Sequence, residues 1–360
     1  MAKNSTECYR CPYCILSSKK HLCDEKLEKI TPYDNNITPV EVHPLMENIP
    51  VSINNYFGDP FLQYEDTLKK LERLESKKHK GIVCIITKSE AREEQLDKLK
   101  SLDLNLHILY STCSVADFDG PSYKKRIETM QRIVEVGINV SLEFRPLING
   151  INDDIENISK ILEDAKSIGI KDLAYGGLMG TKEVLALLKR KGFFPKVPRG
   201  FDSWSPNKKL MNEDTRAFLE KRCKELGLNS FRKTSCLLSY HHGLERDYNN
   251  HFYRPQNYAC DACVMHDKCF SFRNNLKEEQ VSGLLEKIGV KDYQLTKQKN
   301  IVCDLYENCS SKSESCRNMQ GLVLKLNRTI TTGDESLLKW LTGCIVKSDK
   351  MLELPNVSIL

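Results

Sequence analysis

The stretch Asn139-Val140-Ser141-Leu142-Glu143-Phe144-Arg145 is a strand-length, largely apolar run set between two helix-length patterns, 122–137 and 154–168. Each pattern closes on a glycine, Gly137 and Gly169, the residue that most readily stops a helix. Working outward, similar runs recur at Gly81–Thr87, Asn105–Ser111 and Asp172–Leu178, with another helical pattern at 90–100. Further back, Val51–Phe57 reads as a strand ending in Gly58-Asp59-Pro60, and a helix with apolar positions Leu68, Leu71 and Leu74 follows. Strands alternating with helices imply parallel pairing and an α/β layer or barrel. The spacing varies and no repeat shows by identity, which argues against a solenoid.

Beyond about residue 195 the pattern changes. Pro195, Pro198, Gly200 and Pro206 mark a loop-rich joint around Phe201–Trp204. A helix over 213–226 and a short strand at 229–233 come next. From Cys236 the chain turns rich in cysteine, histidine and aromatics, with helix expected over 280–289, strand over 322–330 and helix over 336–345. The expected division is 1–195, a connecting or late barrel segment at 196–235, and a cysteine-rich region at 236–360.

The chain has 360 residues, enough for one large domain and a smaller one. Its start lacks the apolar core of a signal peptide, and no apolar run approaches the ~18 residues of a membrane span. A soluble, cytoplasmic protein with no membrane partner is the expectation. Fifteen cysteines in a reducing compartment point to metal binding ahead of disulfides. The net charge of +5, from 54 basic and 49 acidic residues, permits an anionic partner without demanding one.

The N-terminal run Glu7-Cys8-Tyr9-Arg10-Cys11-Pro12-Tyr13-Cys14 carries the sharpest chemistry. Three close thiolates can hold three irons of a [4Fe–4S] cluster and leave the fourth open, whereas an electron-transfer cluster takes four cysteines. Arg10-Cys11-Pro12-Tyr13-Cys14 resembles the second half of the cluster motif of the radical S-adenosylmethionine (SAM) superfamily, Cys-x3-Cys-x-aromatic-Cys. Here two residues, not three, separate Cys8 from Cys11, and cysteines so spaced also suit tetrahedral zinc. Gly58-Asp59-Pro60 resembles that family's Gly-Gly-Glu-Pro segment. The stretch Phe144–Asp153 resembles the end of its fifth strand. The resemblance covers roughly residues 8–180.

That resemblance implies a partial (β/α) TIM-type barrel with a smaller cysteine-rich C-terminal domain. It implies an enzyme that cleaves SAM to a 5′-deoxyadenosyl radical, with flavodoxin or ferredoxin as reductant. Tyr13 would sit near the adenine, Gly58, Asp59 and Pro60 near the methionine amino group, and Ser111 near the ribose or carboxylate. Arg145 suits a carboxylate or phosphate through its planar fork. Cys113, just past a strand end, is a candidate hydrogen-atom donor, with a buried thiol as the plainer reading. Cys84, inside an apolar strand, reads as core.

Cys260-x2-Cys263-x5-Cys269 has metal-ligand spacing and resembles the core of the SPASM and twitch extensions, which carry auxiliary clusters. Arg273 stands where those domains have a further cysteine, so Cys236 is the candidate fourth ligand. Zinc is the alternative metal. Cys303, Cys309 and Cys316 are spaced more loosely. His241 and Glu245 offer an acid–base couple or a solvated helix face. Lys77, Lys78, Lys80, Arg246 and Arg254, with aromatics of 240–258, form a candidate nucleic-acid patch. A peptide or protein substrate is preferred over nucleic acid on the cysteine spacing. The alternative class is a metal-stabilised binding protein without radical chemistry.

Overall fold

The computed structural model describes residues 11, 13, 48–53, 58–116, 120–197, 209–249, 263–287, 290–299 and 320–352. These fall into two compact units. The first takes in residues 52–78 and 83–234 with Cys11 and Tyr13, the second residues 48–51, 79–82 and 235 onward.

In the first unit strands and helices alternate: β1 (Val51–Ile53), α1 (Tyr64–Ser76), β2 (Ile82–Thr87), α2 (Glu93–Ser101), β3 (Asn105–Ser111), α3 (Tyr123–Val136), β4 (Asn139–Leu147), α4 (Ile155–Ser167), β5 (Asp172–Met179) and α5 (Lys182–Arg190). Then come β6 (Lys209–Leu210), α6 (Glu213–Leu226) and β7 (Asn229–Phe231). The strands form one sheet in the order β1-β2-β3-β4-β5-β6, with β7 also paired to β5. The β3–β4, β4–β5 and β5–β7 ladders are parallel, and the short β6 is antiparallel. This is the expected α/β architecture of a partial barrel. Gly137 caps α3 in the left-handed conformation, φ 78°. The Arg145–Pro146 peptide bond is cis.

Parallel strands covered on both faces read as continuous apolar runs. β4 departs from that rule. Val140, Leu142 and Phe144 are buried, and so are the alternating Ser141 and Glu143. Ser111 pairs in register with Glu143, Leu109 with Ser141 and His107 with Asn139, so these residues share one sheet face. His107 Nε2 lies 3.0 Å from Ser141 Oγ. On the opposite face the Tyr175 hydroxyl donates to Glu220 of α6. The polar strip therefore faces away from that outer helix.

The second unit contains α7 (Thr234–His241), α8 (His266–Asn275), α9 (Glu278–Lys287), β8 (Tyr293–Lys299), β9 (Gln320–Thr331), α10 (Thr332–Thr342) and β10 (Ile345–Leu352). β9 is central, antiparallel to β8 and parallel to β10. Leu322, Leu324, Leu326 and Ile330 of β9 pack with Val281, Leu285, Leu338 and Val346. The helix expected over 336–345 instead covers Thr332–Thr342; Gly343, at φ 69°, follows it and Ile345 opens a strand. The strand expected at 51–57 is described to Ile53, and 54–57 lie outside the described residues, as do 198–208. Among the described residues no helix is long and apolar enough to cross a membrane.

Two glycines make opposite demands. An added Cβ at Gly81 would collide with the Ile49 carbonyl oxygen, a backbone atom, while at Gly283 inside α9 it would meet nothing within 4 Å. Gly81→Ala is expected to destabilise the protein by about 1–3 kcal/mol through overpacking. Gly283→Ala is expected to stabilise it by about 0.5–1 kcal/mol through helix propensity. Denaturant unfolding of the two variants checks both signs.

Candidate active site

Cys11 and Tyr13 are the described members of the N-terminal cysteine loop; Cys8, Cys14 and Cys23 lie outside the described residues. Both meet one side chain. Lys88, directly after β2, donates from Nζ to Cys11 Sγ at 3.3 Å and to the Tyr13 hydroxyl at 2.7 Å. The Tyr13 ring packs against Ile148, Leu178, Val184 and Leu188, near the ends of β4 and β5.

Lys88 is itself set by its backbone. Its N–H donates to Asp59 Oδ2 at 2.9 Å, and its carbonyl accepts from the Tyr110 hydroxyl at 3.1 Å. Asp59 Oδ1 accepts from Thr87 Oγ1 at 2.6 Å and from the Phe61 N–H at 3.0 Å. The carboxylate, only 8% exposed, thus clamps the Gly58-Asp59-Pro60 turn to the end of β2. Thr67 Oγ1 donates to the Pro60 carbonyl at 2.9 Å and fixes the same turn to α1.

Ser111 is buried at the end of β3, opposite Glu143. Burying a carboxylate is costly unless it is paired. Arg145 supplies the partner, with Nη1 at 2.6 Å from Glu143 Oε1. Arg145 also donates to Thr234 Oγ1 and to the Arg232 carbonyl, both at 2.8 Å. The fork expected to meet a ligand is therefore largely engaged within the protein. Among the described residues, four buried atoms near this edge find no hydrogen-bond partner: Ser89 Oγ, Thr112 Oγ1, Glu143 Oε2 and Arg145 Nε. Ser89 and Thr112 stand just past the ends of β2 and β3, and Glu143 and Arg145 lie within β4, Glu143 level with the end of β3. Buried polar atoms normally find partners, so this edge suits a ligand with donors and acceptors, as SAM is. A half-buried cysteine sulfur with a cationic donor likewise suits an anionic iron–sulfur cluster.

The model of the radical SAM superfamily matches residues 8–165. That stretch, somewhat under half of the chain, resembles the radical SAM superfamily. An iron–sulfur cluster and SAM are the cofactors that this likeness implies. A domain of pyruvate-formate lyase-activating enzyme from Bacteroides vulgatus is similar at 17% identity and TM-score 0.35, over 50% of this chain and 96% of that one. Streptococcus suis SuiB is similar at 14% identity and TM-score 0.37, over 82% of this chain and 61% of that one. SuiB bound to its precursor peptide SuiA gives 13% identity and TM-score 0.36, over 54% and 40%. No curated protein matches the sequence.

The stretch 144–153 works as a brace. Asn152 Nδ2 donates to the carbonyls of Cys113 at 2.9 Å and Pro146 at 3.0 Å, and its Oδ1 accepts from the Ile148 N–H at 2.6 Å. Asn157 donates to the carbonyls of Cys113 and Asn152 and accepts from the Val115 N–H. The two carboxamides tie the ends of β3 and β4 together. Cys113 is completely buried between these contacts, which is the environment of a packing thiol. Cys84 is core.

In the second unit Cys236 lies in α7 and Cys269 in α8, Cys263 just precedes α8, and Cys260, Cys303, Cys309 and Cys316 lie outside the described residues. Cys269 Sγ accepts from the Asp247 N–H at 3.3 Å. Burial pushes its thiol up to about 11, with neighbouring Cys263 adding to the rise. Burial also raises Cys263. A metal at these sulfurs would have to displace their protons. Among the described residues no three His, Cys, Asp or Glu side chains lie close enough together to hold a metal ion.

Arg246 corrects the expected basic patch. It is 7% exposed, with its guanidinium carbon 4.5 Å from the Phe272 ring centre and 5.6 Å from that of Trp340, and it donates to the Trp340 carbonyl. Aromatic rings enclose it because a planar, weakly hydrated cation stacks well on them. Tyr248 is buried too, and Arg254 lies outside the described residues.

Sequence reasoning missed Lys88, Glu143, Asn152 and Asn157 as site-forming residues. A polar position alternating through an apolar strand was the available signal for Glu143. Asn152→Ala removes the side-chain partner of the Pro146 carbonyl and the Ile148 N–H, while Asn157 keeps the Cys113 carbonyl, and is expected to cost about 2–3 kcal/mol, at 1–3 kcal/mol per unsatisfied buried group. A denaturant midpoint unchanged from wild type would contradict the brace.

His242 yields a pH prediction. Burial, then the adjacent His241, pushes it down to about 4, whereas in the unfolded chain it titrates near 6.5. Between those values the unfolded state binds the extra proton, so the penalty is absent above about pH 6.5 and grows as pH falls toward 4. His242→Gln should flatten the fall in melting temperature across that window, while leaving the slope above pH 7 as in wild type.

Proposed function

We propose that this chain reductively cleaves SAM at a [4Fe–4S] cluster and abstracts a hydrogen atom from a peptide or protein substrate. The observation that carries this reading is the placement of Cys11 and Tyr13 against Lys88, just past the C-terminal end of β2. Ligands of parallel α/β barrels gather at that end of the strands.

Cys8, Cys11 and Cys14 would hold the cluster, three thiolates leaving one iron for the amino and carboxylate groups of SAM. Bound there, the cluster and SAM supply the radical that takes hydrogen from the substrate. The residues of the chain orient and enclose. Asp59 fixes the Gly58-Asp59-Pro60 backbone that would meet the methionine amino group. Ser111 and Thr112 offer hydroxyls at the end of β3. Arg145 and Glu143 form a buried ion pair that keeps one donor and one acceptor atom for a ligand. The brace of Asn152 and Asn157 holds these strand ends in register.

The peptide or protein substrate rests on the spacing Cys260-x2-Cys263-x5-Cys269, which we read with Cys236 as an auxiliary cluster site, zinc being the alternative metal. The burial of Arg246 removes one cation from the competing nucleic-acid patch. A flavodoxin or ferredoxin would supply the electron, and a reducing cytoplasm fits the fifteen cysteines.

Anaerobically purified protein, assayed for iron, sulfide and 5′-deoxyadenosine after dithionite and SAM, tests the reading. Cys8→Ala, Cys11→Ala and Cys14→Ala should each abolish both the reducible cluster and SAM cleavage, and Cys23→Ala, at the next cysteine along and the one that could close the site with a fourth thiolate, should spare them. A triple variant of the three loop cysteines should retain about four irons, one cubane, at the auxiliary site. Zinc alone, with no cleavage by wild type, would favour a structural metal-binding protein.

A further inference from the structure

We infer that Lys88 is a positioning residue for the N-terminal cluster: it holds a cationic hydrogen-bond donor against the Cys11 sulfur and so raises the cluster's reduction potential. The inference rests on Cys11 being a cluster ligand, as proposed above.

The geometry argues for a built contact. Lys88 Nζ is 3.3 Å from Cys11 Sγ and 2.7 Å from the Tyr13 hydroxyl, so one ammonium spans two residues of the loop. The stem that carries it is held at both backbone groups, the N–H by Asp59 and the carbonyl by Tyr110. Thr87, the preceding residue, is fixed by the same carboxylate. A long side chain anchored in this way loses less freedom on reaching the sulfur than one on a loose loop.

The electrostatic consequence has a definite sign. Reduction adds a negative charge to the cluster, and a fixed positive charge at a ligating sulfur favours the more negative state. Hydrogen bonds to cluster sulfurs are among the factors that set such potentials. A cluster that is easier to reduce takes its electron from a biological donor more readily. The Tyr13 hydroxyl keeps the ammonium turned toward the loop.

The measurement is the one-electron midpoint potential of the cluster in the absence of SAM, by redox titration followed with EPR, in wild type and in Lys88→Met, Lys88→Gln and Lys88→Arg. The two neutral variants should show roughly a tenfold smaller equilibrium constant for reduction, about 59 mV more negative, while Lys88→Arg stays near wild type. Potentials equal across all four overturn the inference. So does a defect confined to SAM affinity, which would assign Lys88 to the cofactor carboxylate instead. Neutral variants that take up no iron while Lys88→Arg does would make Lys88 an assembly residue and overturn the potential role. A wild-type protein that takes up no iron removes the cluster reading itself, an outcome distinct from a wild-type cluster with unshifted variants.

Discussion

The arrangement at the strand ends depends on one buried carboxylate. Asp59 accepts from the backbone of Phe61, the hydroxyl of Thr87 and the backbone of Lys88, and so joins the turn after β1 to the end of β2. Charge-assisted bonds to backbone N–H groups are short and strong where water is excluded. The carbonyls of the same turn are engaged as well, Asp59 by the Gln63 N–H and Pro60 by Thr67, so the turn is fixed through both side chain and backbone. The next residue along, Lys88, projects from a fixed stem into the cysteine loop. A local electrostatic demand is thereby passed on as the position of a cation.

A second constraint acts across the neighbouring strands. The ends of β3 and β4 carry polar groups that no ladder satisfies, and two asparagines satisfy most of them. Glu143 and Arg145 follow different logic. Their ion pair leaves an oxygen and a nitrogen unbonded in a buried place. Such groups cost stability in the protein alone, and consistency between local rules and fold is most often broken where a site is built.

The fold was legible wherever periodicity alone decides it. Strands at 82–87, 105–111, 139–147 and 172–179 and helices at 123–136, 155–167 and 213–226 follow from apolar runs and glycine stops. α5, β8 and β10 were not read. β8 and β10 are rich in lysine and polar residues, and their strand form comes from pairing with β9, which propensity does not register. At the site, Cys11 and Tyr13 were visible as a motif. Lys88 was not, because a single lysine after a strand is ordinary and its contact with Cys11 spans 77 positions. Arg246 misled because composition reports charge and not enclosure; the packing of Phe272 and Trp340 shows that it is buried.

The second unit draws its parts from distant places in the chain. Ile49 packs with Leu337, Trp340 and Leu341, and Gly81 touches the backbone at Asn48 and Ile49. During synthesis Ile49 leaves the ribosome almost a full chain length before those partners exist. Closing so long a loop is entropically slow, so this part of the core is among the last to be completed. A fragment ending near residue 235 would carry an apolar Ile49 with its covering removed, and would present it to chaperones or to other chains. The boundary between the units is a boundary of packing, not a place where the polypeptide can be cut.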